Sequence, residues 1–324
     1  MPKPTPLRRI FIIGCPRSGT TVVQSLLASL PNVMSMGETN YLLCMLGNFN
    51  AWLNNPAAVE SKWRKRLALA RASSRRDLQD CLDQAFGGSN LAPRLRRRMT
   101  GRGYIDELRR VLDAEAIRRN CTCWVEKTPD HLAYLSILEK QIPDAHFLHM
   151  VRSGPDVIAS AIEGQIRFSE HEVFLGSIPY WVKRWNRATQ VHLQYAGRPR
   201  HTVLPYACLF TATAQVQELL RDLSGASATA LGSASGQLDH IVDLADEPWK
   251  KGSIDETLRP PQRKFEGLFG PCMRQWLNDH LTGYAEVIAT LAERQPTMPW
   301  VASAAEGVPV DSPKIRASLG THKA

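Results

Sequence analysis

The sequence predicts an α/β protein built on a parallel sheet flanked by helices. Three observations carry this. A short β-branched and aromatic run, Arg9 to Ile13, is followed by a glycine-punctuated segment and then by apolar residues at helical spacing. Strand and helix patterns alternate again from residue 122 to about 223. Such alternation implies parallel strands with helices on both faces, and ligands then bind beyond the carboxyl ends of the strands.

The first unit reads as strand, loop and helix. Val22, Val23, Leu26, Leu27 and Leu30 give the helix Thr20 to Leu30 its apolar face, and Pro31 stops it. A short strand, Val33 to Met36, ends at Gly37. Residues 41–120 read as a helical insertion. Between Lys62 and Arg119 it carries 16 basic and 7 acidic side chains, a surplus as large as the whole chain's net +9. Strands follow at Thr122–Glu126, His146–Val151 and Thr202–Tyr206, with helices at Pro129–Gln141, Pro155–Ile162 and about Thr213–Leu223. A Ser/Ala/Gly-rich loop is expected at 225–240. Leu277, Leu281, Tyr284, Ile288 and Leu291 fall on one face of a single long helix, Phe269 to Glu293. One domain, 1–295, with a poorly ordered tail, 296–324, is the expected organisation.

The chain has 324 residues, 44% of them hydrophobic, enough for a sizeable core. A basic chain of this kind tends to hold anions. The cysteines number seven and show no C-x-x-C pair, so no zinc or redox motif is read and reduced thiols are expected. No apolar run approaches the roughly 20 residues of a membrane helix. A cytoplasmic protein without a membrane span, a nucleic-acid partner or a bound metal is the reading.

The chemistry is concentrated after the strands. Gly14-Cys15-Pro16-Arg17-Ser18-Gly19-Thr20-Thr21 is a G-x-x-x-x-G loop between a strand and a helix. Backbone N–H groups of such a loop close around an anion, and the helix N-terminus adds positive partial charge. An ATP-binding loop would carry Lys where Thr20 stands; here the cation is Arg17. Arg152 follows the strand ending at Val151, and Ser160 stands eight residues later on the next helix. Read alone, this is a strand–helix junction with a polar cap, in which Arg152 could pair with an acid or, with Ser160, could hold a terminal phosphate. Glu38 follows the second strand and could take a proton from a nucleophile. Alternatively it is a helix-start carboxylate. Lys127 follows the third strand, where it could stabilise developing charge or form an ion pair with a neighbouring acid. His131 and His149 are weaker base candidates, and His149 lies within a strand.

Pro16-Arg17-Ser18-Gly19-Thr20-Thr21 resembles the 5′-phosphosulfate loop of the sulfotransferases that use 3′-phosphoadenosine-5′-phosphosulfate (PAPS), in the form found in tyrosylprotein and many bacterial members. Arg152 and Ser160 resemble the same family's R-x(7)-S site for the 3′-phosphate. The resemblance covers about residues 8–40, 122–165 and 200–270 and implies the P-loop-like sulfotransferase fold. It also implies PAPS as donor, a hydroxyl-bearing and possibly anionic acceptor, and no metal. In that reading Glu38 is the base, Arg17 steadies the leaving group and Lys127 the sulfuryl oxygens. The stretch Ser253-Ile254-Asp255-Glu256-Thr257-Leu258-Arg259-Pro260 resembles a tyrosylprotein-type motif whose Ser contacts the cofactor. Lys264 and Tyr206 match cofactor-contacting positions loosely: Phe265 stands where a Trp is usual, and Ala207-Cys208 replace acidic residues. A P-loop kinase or NTPase, and a non-catalytic nucleotide-binding protein, are the competing readings.

Overall fold

The computed structural model describes residues 6–47, 49–54, 74–88, 92–171, 174–226, 247–250 and 264–305. In chain order they form β1 (Arg8–Gly14), α1 (Thr20–Ala28), β2 (Val33–Ser35), α2 (Tyr41–Leu46), α3 (Phe49–Asn54), α4 (Ser74–Ala85) and α5 (Gly101–Arg118). Then come β3 (Cys123–Lys127), a 3₁₀ segment (Pro129–Tyr134), α6 (Leu135–Gln141), β4 (His146–Val151), α7 (Gly154–Arg167) and α8 (Ile178–Tyr195). Next are β5 (His201–Pro205), α9 (Cys208–Thr211) and α10 (Thr213–Ser224), followed by α11 (Lys264–Leu268), α12 (Pro271–His280) and α13 (Tyr284–Arg294). The strands lie in one sheet in the order β2-β3-β1-β4-β5. β1 and β2 each pair with β3 in parallel, with Ile10, Phe11 and Ile12 opposite Val125, Glu126 and Lys127.

Two compact units share the chain. The first comprises residues 1–13, 23–147 and 220–246; the second comprises 14–22, 148–219 and 247–324. In the first, Ile10 to Ile13 are fully buried, which explains why β1 reads as a continuous apolar run. Phe11 stacks on Phe147 and meets Trp124 edge-on. Asp113 binds the Arg9 guanidinium through both oxygens and also accepts from Trp124 Nε1 at 2.8 Å. On α5, Glu107 is fully buried and is held by Arg98, Arg110 and the Arg96 N–H. Burial works upward on its carboxyl, but hydrogen bonds from Arg110, Arg96 N–H and Arg98 outweigh it and bring it to about 2. Glu115 holds Arg118 and Arg119. Part of the insertion's basic surplus is therefore neutralised within α5 and its flanks.

In the second unit, Ile158 and Ala161 of α7 pack with Trp181 and Val182 of α8, and with Phe269 and Leu277. The long helix expected over 269–293 is two helices. Asn186 of α8 accepts from the Thr282 N–H at 3.0 Å and donates Nδ2 to the His280 carbonyl at 2.8 Å. These bonds satisfy the ends that a continuous helix would have paired internally. The expected helix 129–141 likewise begins as a 3₁₀ segment. Cys44 and Cys81 form a disulfide, which corrects the expectation of reduced thiols at these positions. The expected loop at 225–240 lies almost wholly outside the described residues. So does the tail beyond 305, whereas residues 299–305 form a 3₁₀ segment.

The Glu107 carboxyl generates a pH prediction. Its folded value of about 2 lies below the ordinary 4.5, so its stabilisation is full above pH 4.5 and is lost as pH falls toward 2. The span corresponds to about 3 kcal/mol. Chemical denaturation between pH 6 and pH 2.5 should show that loss, and Glu107→Gln should be weaker at pH 6 and flatter below it.

Candidate functional site

The phosphate-type loop, residues 14–21, belongs to the second unit. Arg17 and Gly19 both have left-handed backbones, φ 72° and 91°. For Arg17 that conformation is unusual and is the kind of local strain that functional loops retain. A side chain on Gly19 would lie 2.3 Å from the Tyr206 ring, so only glycine fits there. Ser18 N–H closes the turn on the Cys15 carbonyl at 3.2 Å. Thr20 and Thr21 open α1, both buried, and Pro16 is partly exposed.

The two motifs meet. Arg17 Nε donates to Ser160 Oγ at 3.1 Å, and an Arg152 terminal nitrogen donates to the Arg17 carbonyl at 3.3 Å. Each guanidinium rests on an aromatic ring. Arg17 lies over Phe174 at 5.3 Å, and Arg152 over Tyr206 at 4.8 Å. Phe174 reaches this place because Gly164 of α7 has no side chain; a Cβ there would meet the ring at 2.3 Å. Tyr206 thus supports both Gly19 and Arg152. Burial pushes its hydroxyl up, with Arg152 opposing. Asp156 is the acid nearest Arg152, at 3.9 Å, and its carboxyl is pushed up by burial against the pull of Arg152.

Two polar atoms here are buried with no hydrogen-bond partner among the described residues: Ser18 Oγ and Arg152 Nε. A buried donor left unmatched costs about 1–3 kcal/mol. Beside them lies a cavity of about 190 Å³ lined by Arg17, Ser160, Glu163, Arg167, Phe168 and Lys264, among others. Glu163 pairs with Lys264 and, at 3.3 Å, with Arg167. The cavity therefore holds three cations against one carboxylate.

In the first unit, Glu38 and Lys127 form an ion pair. Lys127 is almost fully buried, whereas the Glu38 side chain keeps 26% exposure. The adjacent carboxylate, Glu126, is fully buried. It accepts from Thr39 Oγ1 at 2.7 Å and Thr128 Oγ1 at 2.6 Å, and its other oxygen lies 3.1 Å from His131 Nδ1. Burial pushes this carboxyl up, but His131, Thr128 and Thr39 outweigh it and hold it below the ordinary value. His131 is thus engaged inside the unit. His149 is buried between His192 and His201, at 3.2 Å and 3.0 Å, and burial brings His192 down to about 3.

Of the residues singled out from sequence, the structure brings together Arg17, Ser160, Arg152 and Tyr206, with Lys264 on the same cavity, and separately Glu38 with Lys127. Ser253 lies outside the described residues. Phe174, Glu163, Arg167, Thr39 and Glu126 were not singled out. Only Glu163 carried a signal, lying one helical turn beyond Ser160. No group of three or more His, Cys, Asp or Glu side chains among the described residues could hold a metal ion.

A strand–loop–helix turn with Arg17 in place of a loop lysine, joined to Arg152 and Ser160, fits an α/β protein of the sulfotransferase class. The model of the Sulfotransferase family matches residues 9–223, and the chain belongs to that family. It is similar to protein-tyrosine sulfotransferase 1 of Danio rerio, 27% identical over 181 residues, which are 56% of this chain and 42% of that relative. The chain thus spans less than half the length of that relative. Among solved structures, it is similar to a sulfotransferase from Alicyclobacillus acidocaldarius, with a TM-score of 0.43 and 14% identity over 90% of this chain and 96% of that one. It is also similar to a sulfotransferase domain from the curacin biosynthetic pathway, with a TM-score of 0.42 and 16% identity over 81% of this chain and 95% of that one.

The contact between Gly19 and Tyr206 is testable. Gly19→Ala combines a disfavoured φ with a 2.3 Å clash against the ring. It should destabilise the protein by about 1–3 kcal/mol in thermal melts. It should also abolish stabilisation by added nucleotide, and Tyr206→Ala should not rescue it, because the φ strain remains and a buried ring is lost.

Proposed function

We propose that this protein transfers a sulfuryl group from PAPS to a hydroxyl group of an acceptor. The observation that carries the reading is the loop cluster: Arg17 bonded to Ser160, Arg152 bonded to the Arg17 carbonyl, and Ser18 Oγ and Arg152 Nε buried without a hydrogen-bond partner, the latter with only Asp156 at 3.9 Å. Family membership supports it, as does Thr20 standing where an ATP-binding loop has Lys. PAPS, when bound, supplies the sulfuryl group and leaves as 3′-phosphoadenosine-5′-phosphate (PAP).

The chain's own residues divide the work. Loop N–H groups with Ser18, Thr20 and Thr21 hold the 5′ end, with Pro16 and Gly19 shaping the turn. Arg152 and Ser160 hold the 3′-phosphate, with Tyr206 supporting Arg152. Lys264 and Ser253 add contacts to the nucleotide. Arg17 covers charge on the leaving oxygen and Lys127 covers the sulfuryl oxygens, so side-chain cations do what a metal does in ATP chemistry. Glu38 accepts the acceptor's proton as the hydroxyl attacks. The acceptor is a small molecule, a glycan or a peptide tyrosine, and residues 41–120 supply its side of the site. A cytoplasmic location was the expectation. Among the described residues no helix is long and apolar enough to cross a membrane, and the Cys44–Cys81 disulfide favours an oxidising compartment over a reducing one.

Thermal melts with PAP, ADP and ATP, with and without magnesium, test the donor. A ligand at 100 times its Kd adds about 2.7 kcal/mol. PAP alone should stabilise, and Arg152→Ala should lose the effect; preferential stabilisation by ATP with magnesium would overturn the reading in favour of a kinase.

Glu38→Gln tests the base. With labelled PAPS and a phenol as probe acceptor, kcat should fall about 100- to 10,000-fold while stabilisation by PAP stays unchanged.

A further inference from the structure

Helix α2, which begins three residues after Glu38, starts without a cap from its own N-cap side chain. Its N-cap, Asn40, has a left-handed backbone, φ 47°, and makes no side-chain capping bond. The first N–H groups of a helix must nevertheless be satisfied. Here three consecutive amides find side chains, one from the adjacent Thr39 and two from Thr128 and His131 almost 90 residues further on. Asn40 N–H donates to Thr128 Oγ1 at 3.2 Å, Tyr41 N–H to Thr39 Oγ1 at 3.3 Å, and Leu42 N–H to His131 Nε2 at 3.3 Å. Because Nε2 accepts, the His131 proton sits on Nδ1 and is donated to Glu126. Thr39 and Thr128 donate their own hydroxyl protons to the other oxygen of the same carboxylate. Each of the three relays therefore ends on Glu126.

We infer that Glu126 is a positioning residue for the reaction. Through Thr39, Thr128 and His131, its buried carboxylate anchors residues 39–42 and so fixes Glu38 against Lys127. The inference rests on the proposed role of Glu38 as base. Strand alternation makes the arrangement possible. Neighbouring residues of β3 face opposite ways, so Glu126 serves the anchor while Lys127 serves Glu38. The network is closed, with every hydroxyl and the imidazole donating once and accepting once, so losing Thr39, Thr128 or His131 leaves an N–H unmatched and losing Glu126 leaves their three protons without an acceptor.

The test combines amide exchange with kinetics. In Glu126→Ala, hydrogen exchange at Asn40, Tyr41 and Leu42 should quicken at least tenfold. Turnover of the phenol probe should fall about 10- to 100-fold, the scale expected for a misplaced catalytic group, with PAP stabilisation unchanged. If that variant does not fold, Thr39→Val removes only the relay to Tyr41 and should slow kcat about tenfold, and Thr39→Ser should restore it. The effect should also vanish in a Glu38→Gln background, because Glu126 acts only through Glu38. Unchanged exchange at residues 40–42, or faster exchange with wild-type kcat, overturns the inference. A Glu126→Ala penalty that persists undiminished in Glu38→Gln does so too. Full turnover in Glu38→Gln alone overturns the base assignment instead, and the exchange data then report on the anchor by itself.

Discussion

A carboxylate buried away from water must be matched bond for bond, and Glu126 is matched by two hydroxyls and an imidazole. Every donor in that shell is also an acceptor for a backbone N–H of the segment that carries Glu38. The network therefore cannot relax locally. Moving Thr39 strands both the Tyr41 amide and one lone pair of the carboxylate. Buried polar networks are costly when incomplete and rigid when complete. Here that rigidity falls on the segment that carries Glu38. Tyr41 adds a second anchor, its hydroxyl donating to the Tyr104 carbonyl at 2.9 Å.

The loop of the second unit is built on the opposite principle. Instead of being matched internally, part of its donor capacity is left open. Two arginines are brought together, Arg152 donating to the Arg17 carbonyl. Their mutual repulsion is offset by stacking on Phe174 and Tyr206 and, for Arg152, by Asp156. Ser18 Oγ and Arg152 Nε remain unmatched. The left-handed backbone at Arg17 and Gly19 adds strain to the same turn. Such an arrangement is unfavourable alone and favourable around an anion, which is the usual sign of preorganisation for charge. Glu163 tempers it further along the cavity, holding Lys264 and Arg167 while leaving Arg17 to Ser160.

The sequence made the strands, the loop and the two anion motifs legible because each depends on a local signal. Ile10–Ile13 is buried on both faces, so hydrophobicity alone marks it. Gly14 and Gly19 are needed where they stand, and eight residues separate Arg152 from Ser160 whatever the surroundings. The missed features depend on partners distant in the chain. The break at Leu281–Gly283 is made by Asn186, roughly 95 residues away, and no periodicity shows it. The Cys44–Cys81 bond joins α2 to α4 across a 37-residue separation that spacing cannot pair. Helix α8 was legible in principle: Trp181, Trp185, Ala188, His192 and Tyr195 share one buried face. Its charged and aromatic residues dilute that stripe. Glu126 and Thr39 looked like ordinary polar residues beside the more obvious Glu38 and Lys127.

The position of the cation in the loop bears most on which nucleotide this chain can discriminate. A lysine at the start of α1 reaches phosphates further along a triphosphate chain. Thr20 removes that reach and leaves a hydroxyl. Arg17, three residues earlier, instead turns back to Ser160 on α7, so the loop's positive charge is tied to the Arg152–Ser160 motif. A ligand that carries anionic groups at both ends of its ribose can meet both motifs at once, whereas one with a single polyphosphate arm engages the loop and leaves Arg152 Nε buried and unmatched. In the proposed reading, that donor acts against the wrong nucleotide as well as for the right one. Selectivity through a buried donor left unpaired is larger than selectivity from an added attractive contact, because the penalty includes the full desolvation of the group.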